Sequence, residues 1–99
     1  MAVAIPGVTK TTNGSTNRAL NISAATVVKA TAGRLVQVNV LVAGAVGAIY
    51  DNNLTSGNSA ANQIAVIPAV VGAYWIDWPC TTGICVTPGA AQVVAVSYA

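Results

Sequence analysis

Apolar and polar residues alternate over residues 34–42, "RLVQVNVLV", more regularly than anywhere else in the chain. Val36, Val38, Val40 and Val42 fall on one side of an extended segment, and Leu35, Gln37, Asn39 and Leu41 on the other. A period of two is that of a half-buried β-strand. The valines support it, because branching at Cβ stiffens the side chain and suits a pleated surface. Shorter segments repeat the texture. "LNISAATVVKATA" (20–32) predicts a strand around Ala25–Thr31, and "AIYD" (48–51) starts another after a turn bracketed by Gly44 and Gly47. "IAVIPAV" (64–70) is a strand closed by Pro68, whose missing N–H suits a sheet edge or a strand end. In "AYWIDW" (73–78), Tyr74, Ile76 and Trp78 share one face and are expected in the core, with Trp75 and Asp77 opposed to them. Pro79 to Gly83 reads as a turn, after which "ICVTPG" (84–89) and "AQVVAVSY" (91–98) complete the chain. Between the strands, "NNLTSGNSAANQ" (52–63) is a polar loop and the segment expected to be most mobile.

No stretch carries an amphipathic helix of ten or more residues. The expected class is therefore all-β: an antiparallel β-sandwich of seven to eight strands, jelly-roll-like or Ig-like. Residues 1–17, "MAVAIPGVTKTTNGSTN", show no sustained period and are expected to form an extended N-terminal arm. Residues 18–99 form a single domain, since 99 residues leave no room for a second core.

Composition sharpens this picture in one respect. Hydrophobic residues make up 55% of the chain, yet charged residues make up only 6%, against about 25% in an average domain. A soluble monomer ordinarily keeps apart from its neighbours by surface charge, so much of this exterior is expected to be covered by partners. Four scattered cations, Lys10, Arg18, Lys29 and Arg34, make no basic stripe, and nucleic acid is not an expected partner. Membrane insertion is not expected either. "MAVAIPGVTK" has no cationic region ahead of its apolar residues, and the uncharged run Leu35–Tyr50 is too short for a spanning helix.

Catalysis finds few candidates. The chain has no histidine and no glutamate, so the commonest general base and metal ligand is missing. Asp51 and Asp77 are the only side-chain carboxylates; Asp51 reads as a turn-initiating residue and Asp77 as a strand-edge or interface group. No phosphate-binding loop is present, and no catalytic, cofactor or metal site is expected. Cys80 and Cys85 cannot complete a zinc site without further ligands, and their spacing is not that of a redox pair. They are either a disulfide across a tight turn or two buried free thiols. A reducing cytosol favours the thiols.

The aromatic set Tyr50, Tyr74, Trp75, Trp78 and Tyr98 admits two readings. Trp75 and Tyr74 with the 52–63 loop could stack on a sugar, or Trp75 could anchor a protein interface; the interface is favoured because only one tryptophan is expected outside the core. The candidate interface residues are Ile5, Pro6, Val8, Lys10, Arg18, Trp75 and Asp77.

Taken together, "TVVKATAGRLVQVNV", "GAIYD", "IAVIP", "WPCTTGICVTPG" and the terminal "VVAVSY" resemble a diffuse group of small tailed-bacteriophage structural β-domains. The resemblance lies in the Lys29–Gly33–Leu35 strand start, the Tyr50–Asp51 step before a polar loop, and the Pro79–Gly83–Ile84 turn. It covers roughly residues 25–98. Cys80 stands where that group commonly has an aromatic residue. The resemblance implies a capsid decoration (cement) protein or a head- or tail-fibre piece. Its partners would be the major capsid protein and further copies of itself, a trimer ahead of a dimer. It would be made in the bacterial cytoplasm and carried on the capsid exterior, its arm reaching a neighbouring subunit. A host-glycan-binding fibre module is the alternative.

Overall fold

The computed structural model describes residues 17–99, so residues 1–16 of the expected arm, with Ile5, Pro6, Val8 and Lys10, lie outside the described residues, while Asn17, its last residue, begins the first strand. Eight strands follow in order: β1 (Asn17–Ile22), β2 (Thr26–Lys29), β3 (Gly33–Val42), β4 (Gly47–Tyr50), β5 (Gln63–Ile67), β6 (Gly72–Cys80), β7 (Ile84–Thr87) and β8 (Val93–Tyr98). They form two four-stranded antiparallel sheets, ordered β1-β8-β3-β6 and β2-β7-β4-β5. The fold is an all-β sandwich, as the alternation predicts.

The strand pairs β1·β8, β2·β7, β3·β6 and β4·β5 are nested, first with last and inward to the middle of the chain. Two further pairings, β3·β8 and β4·β7, complete the sheets. Leu35, Ile49, Ile67, Ile84, Val86 and Val94 are fully buried between the sheets. Burying each such side chain contributes about 1.5–3 kcal/mol.

The expected valine row does not survive intact. Val38 and Val40 enter the core, but Leu35 joins them from the opposite side of the alternation, and Val42 is half exposed. The cause is irregular register. From Leu35 to Gln37, and again from Val40 to Val42, β3 advances two residues while β8 advances one, from Tyr98 to Ser97 and from Val94 to Val93. An extra residue in one strand reverses the phase of every side chain beyond it.

Strand β6 also differs from expectation. It runs through Pro79 to Cys80, leaving only residues 81–83 for the turn. Pro79 is tolerated because β6 is an edge strand, where no neighbour needs its N–H. Edge position also explains Trp78. Expected in the core, it is 53% exposed, since nothing flanks β6 on its outer side. Pro68 ends β5, which is an edge strand as its proline suggests.

Candidate functional site

The two ends of the sandwich are built from different chemistry. At one end, four connections meet. Gln92 ties two of them: its Nε2 donates to Pro68 O at 2.9 Å, and its Oε1 accepts from Gly89 N at 3.0 Å within its own connection. Ala45 N donates to Ala90 O at 2.9 Å beside it. The Gln92 side chain is fully buried, a polar group retained in the interior because both its ends are satisfied.

At the other end Asp51 closes a clamp. Its carboxylate accepts from Thr81 N and Thr81 Oγ1, both at 3.0 Å, from Thr82 N at 2.8 Å and from Gly83 N at 3.2 Å. The residue read as initiating its own turn thus organises a turn thirty residues away. Its backbone N–H donates to Asn62 O at 2.8 Å and draws together the ends of the polar loop. Within that loop Asn52 donates to Ser56 O and Asn58 Oδ1, both at 2.8 Å, and accepts from Leu54 N at 3.2 Å. The segment expected to be most mobile is therefore tied down by its own asparagines, which satisfy backbone groups as local turns do.

Burial would raise the Asp51 pKa, but the hydrogen bonds from Thr81, Thr82 and Gly83 together outweigh it and hold the carboxyl below its ordinary 3.8. A depressed carboxylate contributes stability that is present above the unfolded-state pKa and lost as pH falls through the folded one. Thermal melts should accordingly show Tm falling below about pH 4. Asp51→Asn should melt several degrees lower at pH 7 and lose part of the acid slope. An unchanged slope would remove Asp51 from the acid response.

Asp77 does not join Asp51. Its Oδ1 accepts from Arg34 Nη1 at 3.0 Å, and the same nitrogen donates to Asp77 O at 3.1 Å. Both side chains are about half exposed, so the pair is worth about 0–1 kcal/mol. Asp77 sits at φ 52°, within the register shift where β6 advances from Trp75 to Trp78 against two residues of β3. The carboxylates have separate structural duties, and no cluster of three metal-ligating side chains occurs among the described residues.

The cysteines are free and buried. Cys80 belongs to the core cluster between the sheets. Cys85 lies beneath the polar loop, where Asn58 Nδ2 approaches its sulfur at 3.5 Å. Ile84 and Val86, the neighbours of Cys85 on β7, face the core, so Cys85 faces away from it. The two thiols are directed to opposite sides of the second sheet. Burial and then the Asp51 charge push the Cys80 thiol up to about 11, against smaller lowering by a Leu35 hydrogen bond and Arg34. It is a poor nucleophile at neutral pH. Two thiols should titrate in denaturant without reductant, while the folded protein reacts slowly with iodoacetamide; a titre of zero would establish a bridge.

Trp75, Tyr74 and the 52–63 loop, the residues of the alternative sugar reading, are not brought together on one face. Tyr74 packs against the core and donates from its hydroxyl to Val70 O at 2.8 Å. Trp75 pairs with Gln37 on the outer side of the first sheet, whereas the polar loop covers Cys85 of the second. Trp75 is 59% exposed, as an interface anchor must be, and Arg18 is exposed on β1. Sequence reasoning missed the exposure of Trp78 and the apolar connections around Gln92. The only signal for the latter was the run of Ala, Val, Gly and Pro in four separate turns.

Comparison of the chain with protein-family models, with curated proteins and with solved structures finds no match.

Proposed function

We propose that the protein is a non-enzymatic structural component of a phage virion, a decoration or cement protein that binds the capsid exterior and stabilises the shell by bridging its subunits. The observation that carries this reading is the exterior. Leu20, Leu41, Val66, Val70, Trp75 and Trp78 are among the large apolar side chains left more than half exposed. The described residues set only five charged side chains against them, Arg18, Lys29, Arg34, Asp51 and Asp77. Such a surface suits permanent contacts, because few ionised groups must be desolvated when partners close on it.

The nested strand order supports a finer description of the fold. A chain folded back on itself as β1·β8, β2·β7, β3·β6 and β4·β5, then rolled into two sheets, fits the order expected of a jelly roll. An Ig-like order, with consecutive strands paired within one sheet, fits less well. Jelly rolls build capsids as well as lectins, and such an order supports a virion role.

The mechanism is passive. Each bound copy adds contact area that must be lost before the shell opens, and stabilisation follows from binding the closed state alone. The major capsid protein is the partner, and homo-oligomers, a trimer ahead of a dimer, would match closed symmetry at the capsid axes. Trp75 and Trp78 are the proposed anchors between copies, and the arm of residues 1–17 the proposed reach to a neighbour.

Adding purified protein to phage heads that lack it should raise the temperature at which packaged DNA is released. Heads that bind no protein, or rupture at an unchanged temperature, would end the cement reading.

A further inference from the structure

Each sheet has two edge strands, and they are not equally defended. β2 has four residues and β5 five, the latter stopped by Pro68. β1 carries the exposed Arg18 and a register shift between Ala19 and Ile22, with Asn21 at φ 55°. β6 is the longest edge among the described residues, nine residues from Gly72 to Cys80, and its two halves differ. The later half is blunted as free edges usually are. It has a register shift, Asp77 at φ 52° with Arg34 bonded to its carbonyl, and Pro79. The earlier half has none of these devices. Gly72 to Trp75 keeps unbroken register with Val40 to Gln37, and residues 70–76, VVGAYWI, contain no charge and no proline.

Along Gly72–Ile76 the backbone groups of every second residue point away from β3, where no strand lies beside them. Val70 O, just ahead of the strand, is already taken by the Tyr74 hydroxyl, so the open row begins at Gly72. Such a row of alternating donors and acceptors is matched by another extended strand. The side chains say which strand. Tyr74 packs against the core, so its neighbours Ala73 and Trp75 stand on the outer side of the sheet, and both are exposed. Let two copies of this segment run antiparallel about a two-fold axis at Tyr74. Ala73 of each copy then lies opposite Trp75 of the other, and each indole, 59% exposed in the single chain, covers a methyl group. Residues paired by this axis differ by an even number, so outward-pointing groups always meet outward-pointing groups. No charge lies in the segment, so the axis sets no like charges against each other. The segment is complementary to itself.

We propose that residues 72–76 of β6 pair antiparallel with the same residues of a second copy, joining two β1-β8-β3-β6 sheets into one sheet of eight strands. The inference deepens the contact between copies in the virion reading and rests on it for nothing else. Capsid symmetry alone puts a trimer first, whereas this edge selects a two-fold pair. A short ladder with one indole from each chain buries less than the ~800 Å² per partner of a standard complex, so the pair is reversible.

Sedimentation equilibrium of the purified full chain, from about 1 µM to 1 mM, should show monomer and dimer with a Kd inside that range. Trp75→Lys and Ala73→Glu should each weaken association at least about tenfold. Leu54→Lys, on a residue of the polar loop with the same 59% exposure as Trp75, should leave it within about a factor of two. Thermal melts establish that the variants fold. Register is read by cross-linking. Ala73→Cys chains mixed with Trp75→Cys chains should form disulfides several-fold faster than either alone, because opposed Cα atoms lie about 4.5–5.5 Å apart. A chain still monomeric at 1 mM, a trimer, or an open-ended series of oligomers would overturn the proposal. So would edge variants that associate like the parent, or mixed cysteine chains that link no faster than either alone. Loss of the dimer on deleting residues 2–16 would assign the contact to the arm and overturn it too. None of these measurements involves phage heads, so their failure leaves the cement reading untouched, and heads that bind no protein leave the pair standing.

Discussion

Gln92→Leu is expected to cost about 2–5 kcal/mol of stability, because Gly89 N–H and Pro68 C=O then face methyl groups in a site with no access to water. The exchange nearly conserves volume, so the loss comes from unpaired polar groups and not from a cavity. For a domain of this length the melting temperature should fall by more than about 10 °C. Three connections share the side chain's bonds or pack against it. A Cβ on Gly47 would lie 2.7 Å from Gln92 Oε1, which shows how closely the β3–β4 connection is fitted to it. In urea the midpoint should drop with the slope unchanged, as for a variant that alters stability alone. A shift of only one or two degrees would mean that the buried amide fills space without tying the connections.

Gly83→Ala is expected to be a strongly damaging substitution at the opposite end, at about 3 kcal/mol. A Cβ there would lie 2.7 Å from Asn52 O, 2.8 Å from Lys29 O and 2.9 Å from Asn53 Cα. All three obstacles are backbone, so no side chain can rotate away. Relief requires the 81–83 turn to move, and Gly83 N–H would then leave the Asp51 carboxylate. Gly57→Ala is the matched comparison. Gly57 has φ +82° but no atom nearer to a new Cβ than Asn52 Nδ2 at 3.9 Å, so only the left-handed backbone resists, at about 1–2 kcal/mol. Equilibrium unfolding of both should rank Gly83→Ala as the worse. The reverse order would show that the turn yields easily and that Asp51 does not hold it.

Much of the architecture was legible because strand formation is a local matter. The alternation of residues 34–42 became β3, "IAVI" became most of β5, which stops just before Pro68, and "VVAVSY" became β8. The strand β1 was less visible, since "NRALNI" is largely exposed and so carries little periodic signal. Face assignments failed wherever register slipped. Leu35 and Val42 exchanged places because β3 holds extra residues against β8, and that mismatch belongs to the pairing of two distant segments. Trp78 was misplaced for a related reason: alternation tells which way a side chain points, whereas exposure depends on whether another strand lies beside it.

The amino-acid sequence alone determined an all-strand chain poor in charge, with no histidine for catalysis and two cysteines lacking the partners of a metal site. Those properties follow from residue types and near-neighbour spacing, which act before any long-range contact forms. Only the tertiary structure decided that strands pair first with last, that Asp51 reaches residues 81–83, and that Cys80 and Cys85 face apart. It also collected four unremarkable Ala-, Gly-, Pro- and Val-rich turns at one end and all five described charges at the other. Each turn is too short to show that grouping by itself; antiparallel pairing brings alternate connections to the same end, and the asymmetry exists only once the strands have paired.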